Sequence, residues 1–212
     1  MLEVLLLALA LGFKHSYDPD HLVAVSTLVS RSRSFGSAAR LGSSWAVGHM
    51  ITAGVLTSIL FIFREALLQT YFSIFESVVA YMLILLGLWS LREAWKQHVH
   101  VHTHDGAKHM HVHEHAPKHA QRTMLGIGII HGLASNDELL ILLTALFIVP
   151  DLLFMLLGIG VFSIGVVMGM AVFGGLIGLV GEKGSERIRK LVVIGAGALS
   201  VAYGLALVLG LA

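Results

Sequence analysis

Apolar and polar positions along the chain separate into long apolar runs divided by short charged connections. The runs cover residues 2–28, 42–63, 72–91, 124–148, 152–180 and 189–211. Each reaches the length of about 20 residues that a helix needs to cross roughly 30 Å of hydrocarbon. The pattern predicts an all-α integral membrane protein, a bundle of six transmembrane helices. The first run is interrupted: Val4 to Phe13 is apolar, Lys14-His15-Ser16-Tyr17-Asp18-Pro19-Asp20-His21 is not, and apolar character resumes at Leu22. Pro19 removes a backbone donor and crowds the preceding turn, so a broken helix is expected there. Irregular backbone at membrane depth is tolerated where it is buried in protein or lines a cavity.

Composition supports the bilayer as solvent. Hydrophobic residues make up 56% of the 212 and charged residues 13%, with a mean hydropathy of +0.84, beyond what the surface of a soluble domain can cover. The opening MLEVLLLALALGF lacks a basic leader region and a small-residue cleavage site, so it is read as mature structure. There is no cysteine, so a bound metal must be held by nitrogen and oxygen. The net charge of +1 is dispersed and forms no stripe for nucleic acid. Twelve of the fourteen Lys and Arg fall in the connections after the first, third and fifth runs. The positive-inside rule makes those loops cytoplasmic and puts both termini outside the cell membrane.

The interrupted first run gathers Lys14, His15, Asp18, Asp20 and His21. Each charge at that depth costs about 2.5 to 3.5 kcal/mol on insertion scales, and a cation held among them would offset the cost. On helical spacing His15, Asp18 and His21 share one face, and Asp20 joins them only if the break at Pro19 turns it. Imidazoles with a carboxylate suit nickel, cobalt, copper or zinc. The structural alternative is a His15–Asp18 polar pair stapling two helices, with Lys14 as counter-ion. The second run, opening Leu41-Gly42-Ser43-Ser44-Trp45-Ala46-Val47-Gly48-His49-Met50, adds His49 as a third nitrogen ligand or a hydrogen-bonded packing residue.

His15, four residues, then Asp20-His21, with Lys14 immediately before, resembles the signature of the nickel/cobalt transporter family. Ser44-Trp45-Ala46-Val47-Gly48-His49 is similar to that family's second, Gly-His motif. The resemblance implies that His15, Asp18, Asp20 and His21 select and bind nickel(II) or cobalt(II) as the transported ion, with His49 assisting. Typical members have eight spans where this chain has six, and their later Asp-Thr motif is replaced here by Phe162-Ser163-Ile164-Gly165 through Met168-Gly169-Met170. The compact form looks more like the urease- and hydrogenase-associated relatives of that family.

An internal echo points the same way. Gly12-x-x-His15 with Asp20 recurs as Gly128-x-x-His131 with Asn136, and Trp45-Ala46-Val47-Gly48 is echoed by Phe162-Ser163-Ile164-Gly165. The expected organisation is a first three-helix half at 1–97, a His-rich cytoplasmic loop at 98–122 and a second half at 123–212. With three spans per half the repeats are inverted and the first and fourth helices interrupted, the arrangement of secondary transporters. His131, Asn136, Asp137 and Glu138 are then second ligands, a proton relay or a structural polar network.

Nine of the thirteen histidines, at His98, His100, His102, His104, His109, His111, His113, His115 and His119, lie in the connecting tract. A polar low-complexity tract builds no core and is expected to be disordered without metal, serving as a metal buffer, loading arm or sensor. Expected partners are membrane lipid, metal ions and a cytoplasmic metallochaperone; no organic cofactor is expected. Two other classes stay open: an intramembrane metal-dependent hydrolase with Glu138 as base, disfavoured because no His-Glu-x-x-His helix is present, and a metal-sensing or accessory membrane protein without a transport pathway.

Overall fold

Lys14 to His21 do interrupt the first helix, and local backbone chemistry shows how. Helix α1, Leu2–His15, ends in a tight turn in which Tyr17 N–H donates to the Lys14 carbonyl at 2.9 Å and Asp18 N–H to the His15 carbonyl at 3.1 Å. Asp18 is extended, with φ −64° and ψ 143°, as the residue before a proline prefers to be. Pro19 opens helix α2, Pro19–Val29, at the position where its missing N–H has no helical partner to lose.

The structure is a computed structural model that describes residues 2–32, 34–63, 67–96, 100–104, 107–111, 119–133 and 152–211. Beyond α2 these form α3 (Phe35–Phe63), α4 (Leu67–Lys96), strands β1 (His100–His104) and β2 (Ala107–His111), α5 (Ala120–His131), α6 (Leu152–Lys183) and α7 (Glu186–Val208). Among the described residues the architecture is therefore helical apart from one antiparallel hairpin. Three helical stretches among the described residues are long and apolar enough to cross a membrane: Ser77–Trp95, Leu153–Lys183 and Glu186–Val208.

The surface is apolar where a soluble protein's would be polar. Along α3, Val47, Ile51 and Val55 are exposed, while Trp45, His49 and Ala53 on the opposite face are buried. Leu6, Leu85, Ile164 and Leu199 are likewise exposed on other helices, a distribution that lipid stabilises and water does not. Several hydroxyls are satisfied inside their own helices: Ser58 donates to the Gly54 carbonyl at 2.7 Å and Ser163 to the Ile159 carbonyl at 2.7 Å, the back-bonding that Ser and Thr adopt within a helix.

The main helix pairs are α3 with α6, α4 with α7, α3 with α5, and α1 with α6. Glycines set their closeness. A Cβ at Gly128 of α5 would overlap the Trp45 carbonyl of α3, and one at Gly48 of α3 would overlap the Leu125 carbonyl of α5. In the same way Gly12 of α1 backs onto the Phe162 carbonyl of α6, and Gly165 of α6 onto the Leu9 carbonyl of α1. Small residues permit such approach where lipid offers no hydrophobic drive between helices. Between α4 and α7, Ser200 Oγ donates to the Leu83 carbonyl at 2.7 Å. The short break from α6 to α7 is closed by Ser185, whose hydroxyl caps Ile188 N–H, and by Arg189, which donates to the Gly181 and Gly184 carbonyls and pairs with Glu186.

Two expectations need correcting. Helix α3 begins at Phe35 and not at residue 42, so Arg40 is helical and not part of a loop. The histidine tract is not wholly unstructured: β1 and β2 pair in the register His100 with His111 and His102 with His109. Histidine at every second position, alternating with the β-branched Val101 and Thr103, is a strand period that composition alone conceals.

Candidate metal centre

The break between α1 and α2 delivers histidines to one point from two directions. His15 is the last residue of α1, and Asp20 and His21 lie in the first turn of α2. His49 stands at the middle of α3, fourteen residues from either end, about 21 Å of helix on each side. His131 is the last residue of α5. All four imidazoles are buried, at 1% exposure for His15 and 0% for His21, His49 and His131. Neighbouring ring centroids are close: His15 to His21 4.5 Å, His21 to His49 4.7 Å and His21 to His131 5.1 Å. His21 is the hub.

Hydrogen bonds fix which nitrogens face inward. His21 Nδ1 donates to the His15 carbonyl at 2.9 Å, since a carbonyl only accepts. The neutral ring is then left with a lone pair on Nε2, a buried atom with no hydrogen-bond partner. His15 Nδ1 faces Asp18 Oδ2 at 2.9 Å; with the proton on Nδ1, its Nε2 lone pair points at His49 Nε2, 3.3 Å away. Such a carboxylate-histidine pair fixes both the tautomer and the ring orientation of a metal ligand. Asp20 Oδ1 accepts the backbone N–H of His21 at 2.9 Å. Its Oδ2 lies 3.0 Å from His131 Nε2 and 3.8 Å from His21 Nε2. His49 Nδ1 and His131 Nδ1 have no hydrogen-bond partner.

Two groups of ligand atoms emerge, each lying within a 4.8 Å spread: His15, His21 and His49, and Asp20, His21 and His131. Two ligands at about 2.0 to 2.2 Å from one tetrahedral or octahedral ion sit about 3.0 to 3.5 Å apart. The 3.3 Å between the Nε2 atoms of His15 and His49 falls in that range. So does the 3.0 Å between Asp20 and His131.

Walls of aromatic surface exclude water. Trp45 is fully buried and stacks on His49, with ring centroids 5.1 Å apart and planes 13° apart, and Phe162 of α6 lies 5.5 Å from His15. The indole Nε1 of Trp45 also has no hydrogen-bond partner. Neither residue was singled out for the site from sequence. Trp45 precedes His49 by four residues and so shares its helical face, and Phe162 occupies the matching place in the internal echo, two signals that could have found them.

Of the residues expected at the site, His15, Asp20, His21 and His49 converge. Asp20 does so because the break turns it inward, to 7% exposure. Asp18 sits on the far side of His15 with a side chain 22% exposed, where Lys14 also approaches it at 4.0 Å. His131, expected at a second site or relay, joins the same cluster. Asn136, Asp137 and Glu138 lie outside the described residues, as do His98, His113 and His115 of the loop. His119 precedes α5 and is exposed.

The chain is 29% identical over 189 residues to the urease accessory protein UreH of Bacillus sp. (strain TB-90), covering 89% of this chain and 82% of that protein. No family model matches it, and no solved structure does.

Proposed function

We propose that this chain carries nickel(II) or cobalt(II) across the cell membrane, with the ion held among His15, Asp20, His21 and His49 and with Asp18 orienting His15. The observation that carries the reading is a buried pair of imidazole nitrogens, His15 Nε2 and His49 Nε2, 3.3 Å apart beside His21 Nε2, which has no hydrogen-bond partner. With the His15 proton on Nδ1, His49 Nε2–H donates to His15 Nε2 across that contact; a cation taking the place of this proton would gain both nitrogens as ligands while the His49 proton moves to its Nδ1. Imidazole nitrogen favours late first-row ions over magnesium or calcium, which prefer oxygen. Description of the relative UreH as a urease accessory protein agrees with the resemblance to urease-associated members of the nickel/cobalt transporter family.

The reading includes six spans in two inverted halves, 1–97 and 123–212, with the histidine loop between them cytoplasmic and both termini outside. Matching contacts support it: α1 packs on α6 through Gly12 and Phe162, and α5 packs on α3 through Gly128 and Trp45. Those are the residues of the internal echo, exchanged between halves. Two halves that each lend a helix to the other can rock against one another over a site whose ligands come from the first half and whose neighbours Phe162 and His131 come from the second. The loop would raise the local metal concentration, and Asn136, Asp137 and Glu138 would take up protons or add oxygen ligands.

Metal entry into proteoliposomes containing an entrapped indicator tests the function. Nickel(II) and cobalt(II) should enter faster than into empty vesicles, magnesium(II) should not, and an imposed pH gradient should change the rate if protons are exchanged. High-affinity binding without flux would favour the metal-sensing or accessory reading.

A further inference from the structure

The buried cluster holds more ligands than one ion needs, and they divide unevenly. Three nitrogens, from His15, His21 and His49, form one group; a carboxylate and two nitrogens, from Asp20, His21 and His131, form the other. Both groups use His21, whose Nε2 lies 3.8 Å from Asp20 Oδ2. His15 and His131 are also presented in the same way. Each is the last residue of its helix, α1 and α5. Each follows by three residues a glycine seated on an aromatic residue's carbonyl, Phe162 for Gly12 and Trp45 for Gly128.

We propose that the cluster is two overlapping ion positions sharing His21, an all-nitrogen position on His15 and His49 and a mixed position on Asp20 and His131, between which the transported ion steps. This rests on the transport reading above. The two positions cannot fill together, because one His21 nitrogen serves both. An ion leaving the first exchanges His15 and His49 for Asp20 and His131 while His21 holds it throughout, so it is never released as a bare charge into the apolar interior. All three ligands of the all-nitrogen position lie in the first half, whereas the mixed position takes His131 from the second, so a movement between halves would open or close the mixed position and leave the other intact. A single deep site binds well and releases poorly; two linked shallower ones permit both. The mixed position replaces a nitrogen with a harder, charged oxygen and so holds a late transition-metal ion differently.

The test uses the full chain, with nickel(II) as probe, in three measurements: equilibrium binding, X-ray absorption of the bound ion, and flux in proteoliposomes. Wild type should bind one nickel(II). His131→Ala should still bind one, on three imidazoles without carboxylate, with Kd changed by less than about threefold, while maximal flux falls at least tenfold. Asp20→Asn, nearly isosteric, should behave the same way and keeps the test open if His131→Ala fails to fold. His15→Ala should retain one ion with a carboxylate oxygen in its shell. Two results overturn the proposal: binding in His131→Ala and Asp20→Asn weakened in step with flux, which means one composite site, or flux unchanged in both, which takes the mixed position off the path. Wild type that neither binds nor moves nickel(II) would instead overturn the transport reading itself.

Discussion

At the scale of single residues the proposed site would depend on what stands behind the candidate ligands as much as on those ligands. Asp18 does not face the cluster; it holds His15 Nδ1 at 2.9 Å and so aims the opposite nitrogen inward. Loss of a carboxylate that orients a ligating histidine costs about 10- to 100-fold in metal affinity. Asp18→Ala is therefore expected to raise the nickel(II) Kd by that order while leaving the helical circular dichroism unchanged; an unaltered Kd would mean His15 needs no such support. Much of this was legible in the sequence. Ionisable residues in an apolar run marked the place, and Pro19 marked the break that turns Asp20 inward. The arrival of His131 was not legible, because a contact between Asp20 and a residue 111 positions later is set by how α5 docks on α3, which no local spacing encodes.

Among the elements, glycine spacing decides how closely helices approach, and α5 offers a controlled comparison. A Cβ at Gly126 meets nothing within 4 Å, whereas one at Gly128 collides with the Trp45 carbonyl. Replacing a mid-helix glycine by alanine gains about 1 kcal/mol in helix propensity, but forcing a methyl into a packed contact costs about 1 to 3 kcal/mol. Gly126→Ala should thus be neutral or slightly stabilising in thermal unfolding. Gly128→Ala should lower the midpoint and weaken metal binding, because the shift falls between Trp45 and His49. Equal behaviour of the two variants would contradict the α3–α5 contact. The sequence showed these glycines only as generic small residues; which of them touch a carbonyl follows from helix rotation. The hairpin is the other element that composition hid. A lone two-stranded hairpin is at best marginal in water, so β1 and β2 are not expected to support the helices. Deleting 98–119 should leave flux at saturating metal intact and change its dependence on low metal concentration. Complete loss at saturation would put those histidines in the pathway.

At the scale of the whole molecule, the proposed direction follows from charge: the connections after the first, third and fifth apolar runs, together with the helix ends that flank them, carry most of the Lys and Arg. In this cysteine-free chain, single cysteines at Ser34 and Ser185 should resist an impermeant thiol reagent in intact cells, and one at Gln69 should react. The reverse pattern would invert the topology and place the histidine loop outside. The six-run apolar pattern and the chemistry of the first run could be read from sequence. The packing of α1 onto α6 and of α5 onto α3 could not, because an internal echo shows which segments correspond and not which ones touch. All of these features converge on His21, buried at the hub of the cluster and common to both ligand groups. The most direct measurement is nickel(II) flux into proteoliposomes by wild type and by His21→Ala, reconstituted in equal amounts and matched by circular dichroism and gel filtration. Rapid entry is expected with wild type and entry no faster than into empty vesicles with His21→Ala. Wild-type flux in the His21→Ala protein would contradict a transport site centred on His21.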